Sequence, residues 1–494
     1  MTTNTKLRAA LLGSGAILAL ATGPAFADEQ QDLKSQIDQL QSRLDQLEKQ
    51  SAVADAKTEP AAATAPADAV VGGDFPGSFK LPGSDTSIAI HGYTKVDAQY
   101  DFNGRIGDSF VQSTIPGNHN ALSNTGPQLH ITARQSRITL ETRTPTNYGQ
   151  VGTYIQGDFF GTSPGSQGGN NTSNFRIRHA YGTLGNFLAG QTWSNFTDVE
   201  DAPETLDFEG PAGEIVARQP QFRYTLPVGN WKFVGALENP AGQVAQVEGG
   251  TFTPGSPVSV GSGAPRVGAN NVVDRAPDIT GSVHYNDSWG HVQLSGVVRY
   301  LATDDGGDPT NSIGPTTSHT ADAIGGGALL GTTYNVGQLI GGAFGKDQVG
   351  FQGYIGQGID RYIDTSSRQG DAINFINVGP GGTLSETIHT QTQYGAYVWL
   401  LHNWTDQVRS NVAFGIDEQD WLGLNVPVTT SGSQITQVTS IHANLIWSPV
   451  KSVNLGVEYL FGSVTRRNLA SGAGIPGGSY GEANRIQVSA QYVF

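Results

Sequence analysis

Arg485-Ile486-Gln487-Val488-Ser489-Ala490-Gln491-Tyr492-Val493-Phe494 closes the chain with two interleaved sets of side chains. Ile486, Val488, Ala490, Tyr492 and Phe494 make one set, and Arg485, Gln487, Ser489 and Gln491 the other. Successive side chains of an extended strand point to opposite faces, so this is a strand with one apolar face and one wet face. The same period of two runs through Ser87 to Asp101, where Ile88, Ile90, Val96, Ala98 and Tyr100 oppose His91, Tyr93, Lys95, Asp97 and Gln99. It returns in Gly290 to Tyr300 and in Val453 to Gly462.

Counting outward from these, sixteen segments carry the pattern. They lie near 86–101, 129–143, 150–160, 175–184, 187–194, 218–226, 230–238, 277–286, 290–300, 323–335, 338–345, 391–403, 408–417, 435–447, 453–462 and 483–494. Short turns such as Asn286-Asp287-Ser288-Trp289 and Thr405-Asp406-Gln407 alternate with long loops, for example 239–276 and 346–390. An even number of antiparallel strands with short turns at one end and long loops at the other describes a transmembrane β-barrel of the bacterial outer membrane. A soluble sandwich or propeller is the alternative, but the apolar phase gathers aromatics near strand ends (Trp231, Phe233, Tyr394, Trp399, Trp404, Trp447, Tyr459, Phe461), as an interfacial girdle does. A strand ending on an apolar aromatic is a common close for such barrels.

Composition agrees. Of 494 residues 66 are Gly, about 13% against a usual ~7%, and 37% are hydrophobic, which suits half-exposed strands better than a large soluble core. With no Cys there is no disulfide, no Cys-ligated metal and no thiol nucleophile. A net charge of −15, without a Lys/Arg cluster, speaks against nucleic acid as a partner.

Ahead of the barrel the sequence reads as three parts. Residues 1–27 have Lys6 and Arg8, an apolar run from Ala9 to Ala21, and Ala25-Phe26-Ala27, the pattern of a secretory signal peptide cleaved before Asp28. A retained membrane anchor is the alternative, but the apolar run is shorter than the ~20 residues a span needs. In 28–50, Leu33, Ile37, Leu40, Leu44 and Leu47 are spaced 4, 3, 4, 3, a heptad seam that predicts a coiled coil. A lone amphipathic helix is the alternative, though so narrow a seam makes a poor core face. Residues 51–85, rich in Ala, Pro, Gly and Asp, read as a flexible linker, leaving 86–494 for the barrel.

Taking the wet phase as the lumen, its cations are Lys95, Arg137, Arg143, Arg176, Arg178, Arg223, Lys232, Arg299, Arg409 and Arg485. Its anions are fewer: Asp97, Glu141, Asp158, Glu238, Asp278, Asp417 and Glu458. Segment 195–217 holds Asp198, Glu200, Asp201, Glu204, Asp207, Glu209 and Glu214, and is similar to the third loop of porins, which folds inward and narrows the pore. Such a loop opposite arginines on strands two, four and six sets a transverse field and offers anions a guanidinium track. The plainer alternative is that these arginines only neutralise the loop and hold it.

Other motifs are weak. Gly161-Thr162-Ser163-Pro164-Gly165 matches G-x-S-x-G but lies in a loop, not at a strand-to-helix elbow. No helical H-x-x-x-H pair points to a metal. Asp304-Asp305-Gly306-Gly307-Asp308 reads first as a solvated acidic turn. No catalytic residues, cofactor or metal are therefore expected.

Several stretches together resemble the DcaP-like family of outer-membrane porins: Gly92-Tyr93-Thr94-Lys95-Val96-Asp97, Arg134-Gln135-Ser136-Arg137, Arg176-Ile177-Arg178-His179-Ala180-Tyr181-Gly182, Ala189-Gly190-Gln191-Thr192-Trp193-Ser194 and Arg218-Gln219-Pro220-Gln221-Phe222-Arg223-Tyr224. Beyond residue 240 the likeness is one of pattern only. The resemblance implies a homotrimer of sixteen-stranded barrels in a Gram-negative outer membrane, with a periplasmic coiled coil. It further implies passive diffusion of small, preferentially anionic solutes such as dicarboxylates. The partners then expected are outer-membrane lipid, lipopolysaccharide and small anions. An unselective or sugar porin and a barrel-borne tether or adhesin are the competing functions.

Overall fold

A computed structural model describes residues 71–103, 106–118, 125–161, 173–248, 272–304, 320–340, 345–363, 370–378, 384–420, 433–468 and 479–494. The signal-peptide and heptad segments, with Leu33, Ile37, Leu40, Leu44 and Leu47, lie outside these residues.

Sixteen antiparallel strands close on themselves. In chain order the first eight are β1 Ser87–Asp101, β2 Gln128–Thr132 continued by Arg137–Thr146, β3 Gly149–Asp158, β4 Arg176–Leu184, β5 Phe187–Trp193, β6 Arg218–Val228, β7 Trp231–Glu238 and β8 Asp278–Asp287. The second eight are β9 Gly290–Asp304, β10 Thr320–Asn335, β11 Gln348–Gln357, β12 Thr392–Asn403, β13 Val408–Asp420, β14 Ser433–Val450, β15 Val453–Asn468 and β16 Tyr480–Val493. Each pairs with its sequence neighbour, and β16 returns to β1 in a register running from Tyr93 opposite Val493 to Asp101 opposite Arg485. Closure leaves no barrel strand with an unpaired edge, the condition for a sheet in hydrocarbon.

The alternation does what its period requires. Val488 and Tyr492 are each 53% exposed on the outer face, while Arg485 is 0% and Gln487 1% exposed inside. One strand differs from the sequence reading. The segment expected at 338–345 begins instead with a helical turn over Gly337–Ile340, and β11 lies ten residues later. The physical reason is glycine: Gly350, Gly353 and Gly356 dilute the alternation of β11, whereas Leu339, Ile340 and Ala343 supplied the apolar letters of a strand. The loop expected at 346–390 accordingly begins after β11. It carries Ala372–Val378 and Leu384–Thr390, which pair antiparallel, and the first also pairs parallel with Val244–Glu248 from the β7–β8 loop.

The end of the stretch read as linker is folded. Phe79–Lys80 pairs with the start of β1, Lys80 meets Asp74 at 3.2 Å, and Phe75 is buried beneath the Arg143 guanidinium, 4.4 Å from its ring centre.

Candidate functional site: the lumen segment and the arginine wall

Between β5 and β6 the chain turns inward and runs along the inner wall. Ser194 and Ala217 meet at its base through a 2.7 Å backbone hydrogen bond. From there Asn195 accepts from the Ser282 hydroxyl (2.7 Å), and Thr197 accepts from the Gln293 amide (3.1 Å). Asp198 meets His291 at 3.0 Å. Glu200 lies 3.7 Å from Lys232 and 3.5 Å from His284, while the Asp201 carboxylate accepts from Thr333 (3.1 Å). Further on, Glu204 takes a two-pronged contact from Arg409 (2.6 and 2.5 Å), and the Leu206 carbonyl accepts from Lys95 (2.5 Å) and Gln487 (2.8 Å). Asp207 accepts from the Phe110 amide (3.1 Å) and lies 3.6 Å from Arg485. On the return limb the Ala212 amide donates to Ser440 (2.8 Å).

Two inner-wall glycines make this approach possible. A Cβ on Gly331 would strike the Asp198 side chain, and one on Gly415 the Ala212 carbonyl. A larger residue at Gly415 would push the segment's backbone off the wall, and one at Gly331 would displace the Asp198 side chain.

The acids Asp198, Glu200, Asp201, Glu204 and Asp207 are therefore taken up by the wall from β7 round to β16. Burial, then the neighbouring Asp198 carboxylate, push the Asp201 carboxyl up to about 7. Burial likewise raises Asp207, against the pull of Arg485.

The opposite wall, β2 to β6, has another character. Asp158 is fully buried and is shared by Arg176 (2.8 Å) and Arg178 (2.9 Å). Arg137 lies over the Tyr93 ring at 5.2 Å, with its buried Nε lacking a hydrogen-bond partner. Arg223 donates to Gln221 (2.8 Å) and to the Trp193 carbonyl. The acids Asp198, Glu200, Asp201, Glu204 and Asp207 make no ion pair with Arg137, Arg176, Arg178 or Arg223. What the segment presents to Arg176 and Arg178 is Phe208, at 5.1 and 5.3 Å.

Among the other residues singled out in the sequence, Lys95 and Asp97 are buried together (3.2 Å) beneath Leu206. Arg143 pairs with Glu141 at 2.7 Å beside Phe75. Arg299 is fully buried where the β7–β8 and β11–β12 loops begin, held by Asp278 (3.0 Å) and Asp371 (2.5 Å) and donating to the Gly358 and Pro240 carbonyls.

Sequence reasoning missed Arg134, Arg218, Phe160, Trp193 and Phe208. Arg134 sits in the break of β2, where Ser136 caps the Lys95 backbone in place of a ladder partner. By parity Arg218 falls outside the lumen phase that contains Arg223, Phe160 and Trp193 end strands read for alternation alone, and Phe208 belongs to a segment read only for its acids.

A closed sixteen-stranded barrel with an apolar outer belt and an inward-folded segment after its fifth strand is an outer-membrane protein of the porin architecture. Within that class the resemblance to the DcaP family is shown, because the family model described as DcaP outer membrane protein matches residues 18–261. The match stops inside the β7–β8 loop, where the sequence likeness also faded. Among solved structures, the outer membrane channel DcaP of Acinetobacter baumannii has the same fold, with a TM-score of 0.62 at 22% identity over 86% of this chain and 100% of that one. The outer-membrane-expressed OmpT of Vibrio cholerae aligns at a TM-score of 0.46 and 10% identity, over 84% of this chain and 99% of that one. The anion-selective porin from Comamonas acidovorans aligns at 0.45 and 12%, over 83% and 100%. No curated protein sequence matches the chain significantly.

Proposed function

We propose that this outer-membrane barrel is a homotrimeric porin through which small hydrophilic solutes diffuse passively, anions such as dicarboxylates in preference. In this reading the heptads of 28–50 join the copies on the periplasmic side. One observation carries the selectivity: Arg137, Arg176, Arg178 and Arg223 stand on the β2–β6 wall beside a single fully buried carboxylate, Asp158, while the segment's acids are engaged on the opposite wall. That imbalance leaves guanidinium edges without a fixed counter-charge, and a guanidinium meets a carboxylate with two parallel hydrogen bonds. A solute with two carboxylates bridges two such groups. Release demands weak binding, on the order of millimolar, or about −4 kcal/mol. Lys95, Asp97 and Arg299, buried in pairs, serve in this reading to brace the inserted segment and the loops.

Planar-bilayer recording under a salt gradient tests it. The wild-type reversal potential should show anion preference. Replacing Arg176 and Arg178 with Ala should move it toward cations and lower dicarboxylate flux more than sugar flux. A wild-type pore that prefers cations, or a double variant with neither quantity changed, reduces the function to unselective diffusion.

A further inference from the structure

Six contacts between guanidinium groups and aromatic rings join end to end. Arg134 lies over Phe160 (4.9 Å), Phe160 faces Arg176 (5.6 Å), and Arg176 faces Phe208 (5.1 Å). Phe208 then faces Arg178 (5.3 Å), Arg178 faces Trp193 (5.8 Å), and Trp193 lies under Arg218 (4.8 Å). Cation and ring alternate through seven side chains, with Phe208 in the middle. The other six come from the wall or its immediate loop ends; Phe208 alone comes from the inserted segment. It is stacked on Phe160 as well, with ring centres 4.3 Å apart and planes 24° from parallel.

The backbone around Phe208 is fixed independently. Asp207 accepts from the Phe110 amide, and Glu209 accepts from the Ser109 hydroxyl at 2.9 Å. The ring is thus held out from an anchored turn toward the arginines.

A ring against the flat face of a guanidinium is attractive and excludes water from that face, yet it uses none of the five N–H groups, which lie in the guanidinium plane. Asp158 already takes one edge of Arg176 and one nitrogen of Arg178, and a second carboxylate in the place of the ring would consume the N–H groups that remain. We propose that Phe208 is a positioning residue for anion selectivity: it packs on Arg176 and on the buried Arg178 while Asp158 holds one edge of Arg176 and one nitrogen of Arg178, so that the N–H groups of the one-third-exposed Arg176 that Asp158 leaves free stay directed to the solute. The proposal rests on the anion-preferring reading of the arginine wall and deepens it.

Neutral substitutions at Phe208 provide the test, because none alters the charge of the pore. Phe208→Leu keeps apolar bulk and removes the ring face, and should lower the anion-to-cation permeability ratio about two- to fivefold with little change in single-channel conductance. Phe208→Tyr and Phe208→Trp, which restore a ring, should retain the wild-type ratio. Phe160→Leu, removing the ring stacked on Phe208, should lower the ratio in the same direction. Heat-shifted gel mobility establishes that each variant has closed its barrel. A Phe208→Leu ratio equal to wild type overturns the proposal, and so does a ratio lost equally in the Tyr and Trp variants. If the wild-type pore has no anion preference, the reading beneath it fails instead, and the two failures are distinguished by the wild-type recording.

Discussion

Two walls of one barrel use the same residue types to opposite ends. Along β8 to β16 three arginines meet acids that match or outnumber them: Arg485 binds Asp101 at 2.7 Å and faces Asp207, Arg409 grips Glu204, and Arg299 lies between Asp278 and Asp371. Along β2 to β6 Arg134 and Arg143 keep one acid each, Asp108 and Glu141, but Arg176 and Arg178 share the single carboxylate of Asp158, and aromatic rings flank both. A charge with its full complement of counter-charges is a fastener. Arg176, flanked by rings and one-third exposed, keeps N–H groups that Asp158 does not take. The barrel thus separates bracing from solute contact by partner count rather than by residue type.

The largest expected effect lies on the bracing wall. Arg485→Ala leaves Asp101 and Asp207 buried without their counter-ion, a loss of about 3–5 kcal/mol. Arg178→Ala leaves Asp158 still paired with Arg176 and should cost about 1–2 kcal/mol. Thermal unfolding of the detergent-solubilised barrel, read by the temperature at which the compact gel band is lost, ranks the two. The reverse ranking would break the distinction between the walls.

A pH experiment sharpens it. Asp201 in its buried place has its carboxyl raised to about 7, against an ordinary value of 3.8. Ionising it there is opposed while ionising it in a detached segment is not. The share of the segment's hold that comes from Asp201 is therefore fully present below about pH 4, weakens as pH rises toward 7, and changes no further above that. Three units at 1.36 kcal/mol each set a ceiling of about 4 kcal/mol. Asp201→Asn should flatten this part of the pH dependence of closing events in single-channel traces between pH 4 and 7. An undiminished slope in the variant assigns the effect elsewhere.

How much of this was legible in the letters follows from what each feature depends on. Strands bathed by lipid on one face and water on the other must alternate, so β1, β9 and β16 could be read directly, and only where glycines thinned the pattern, at β11, did the reading slip. Segment 195–217 was marked by its acids. Where those acids go was not legible, because Asp198 to His291 or Glu204 to Arg409 spans the sequence and depends on the path of the segment around the wall. Phe208 carried no signal at all. Its role exists only where a turn fixed by Asp207 meets a ring just beyond β3 and the arginines of β4, and no periodicity encodes that meeting.

The smallest effect probes the bracing wall for a share in selectivity. Glu204 and Arg409 are partly exposed, with 41% and 21% of their side chains accessible, so water and salt screen their attraction. Glu204→Gln should lower stability by less than about 1 kcal/mol. It also leaves Arg409 uncompensated, adding one positive charge to the wall. If selectivity is set at the ring-faced arginines, this charge moves the reversal potential slightly toward anions, by less than the Arg176 and Arg178 double substitution moves it the other way. Should Glu204→Gln produce a shift of equal size, net charge anywhere in the lumen would set the preference. The difference between the walls would then be one of mechanics alone.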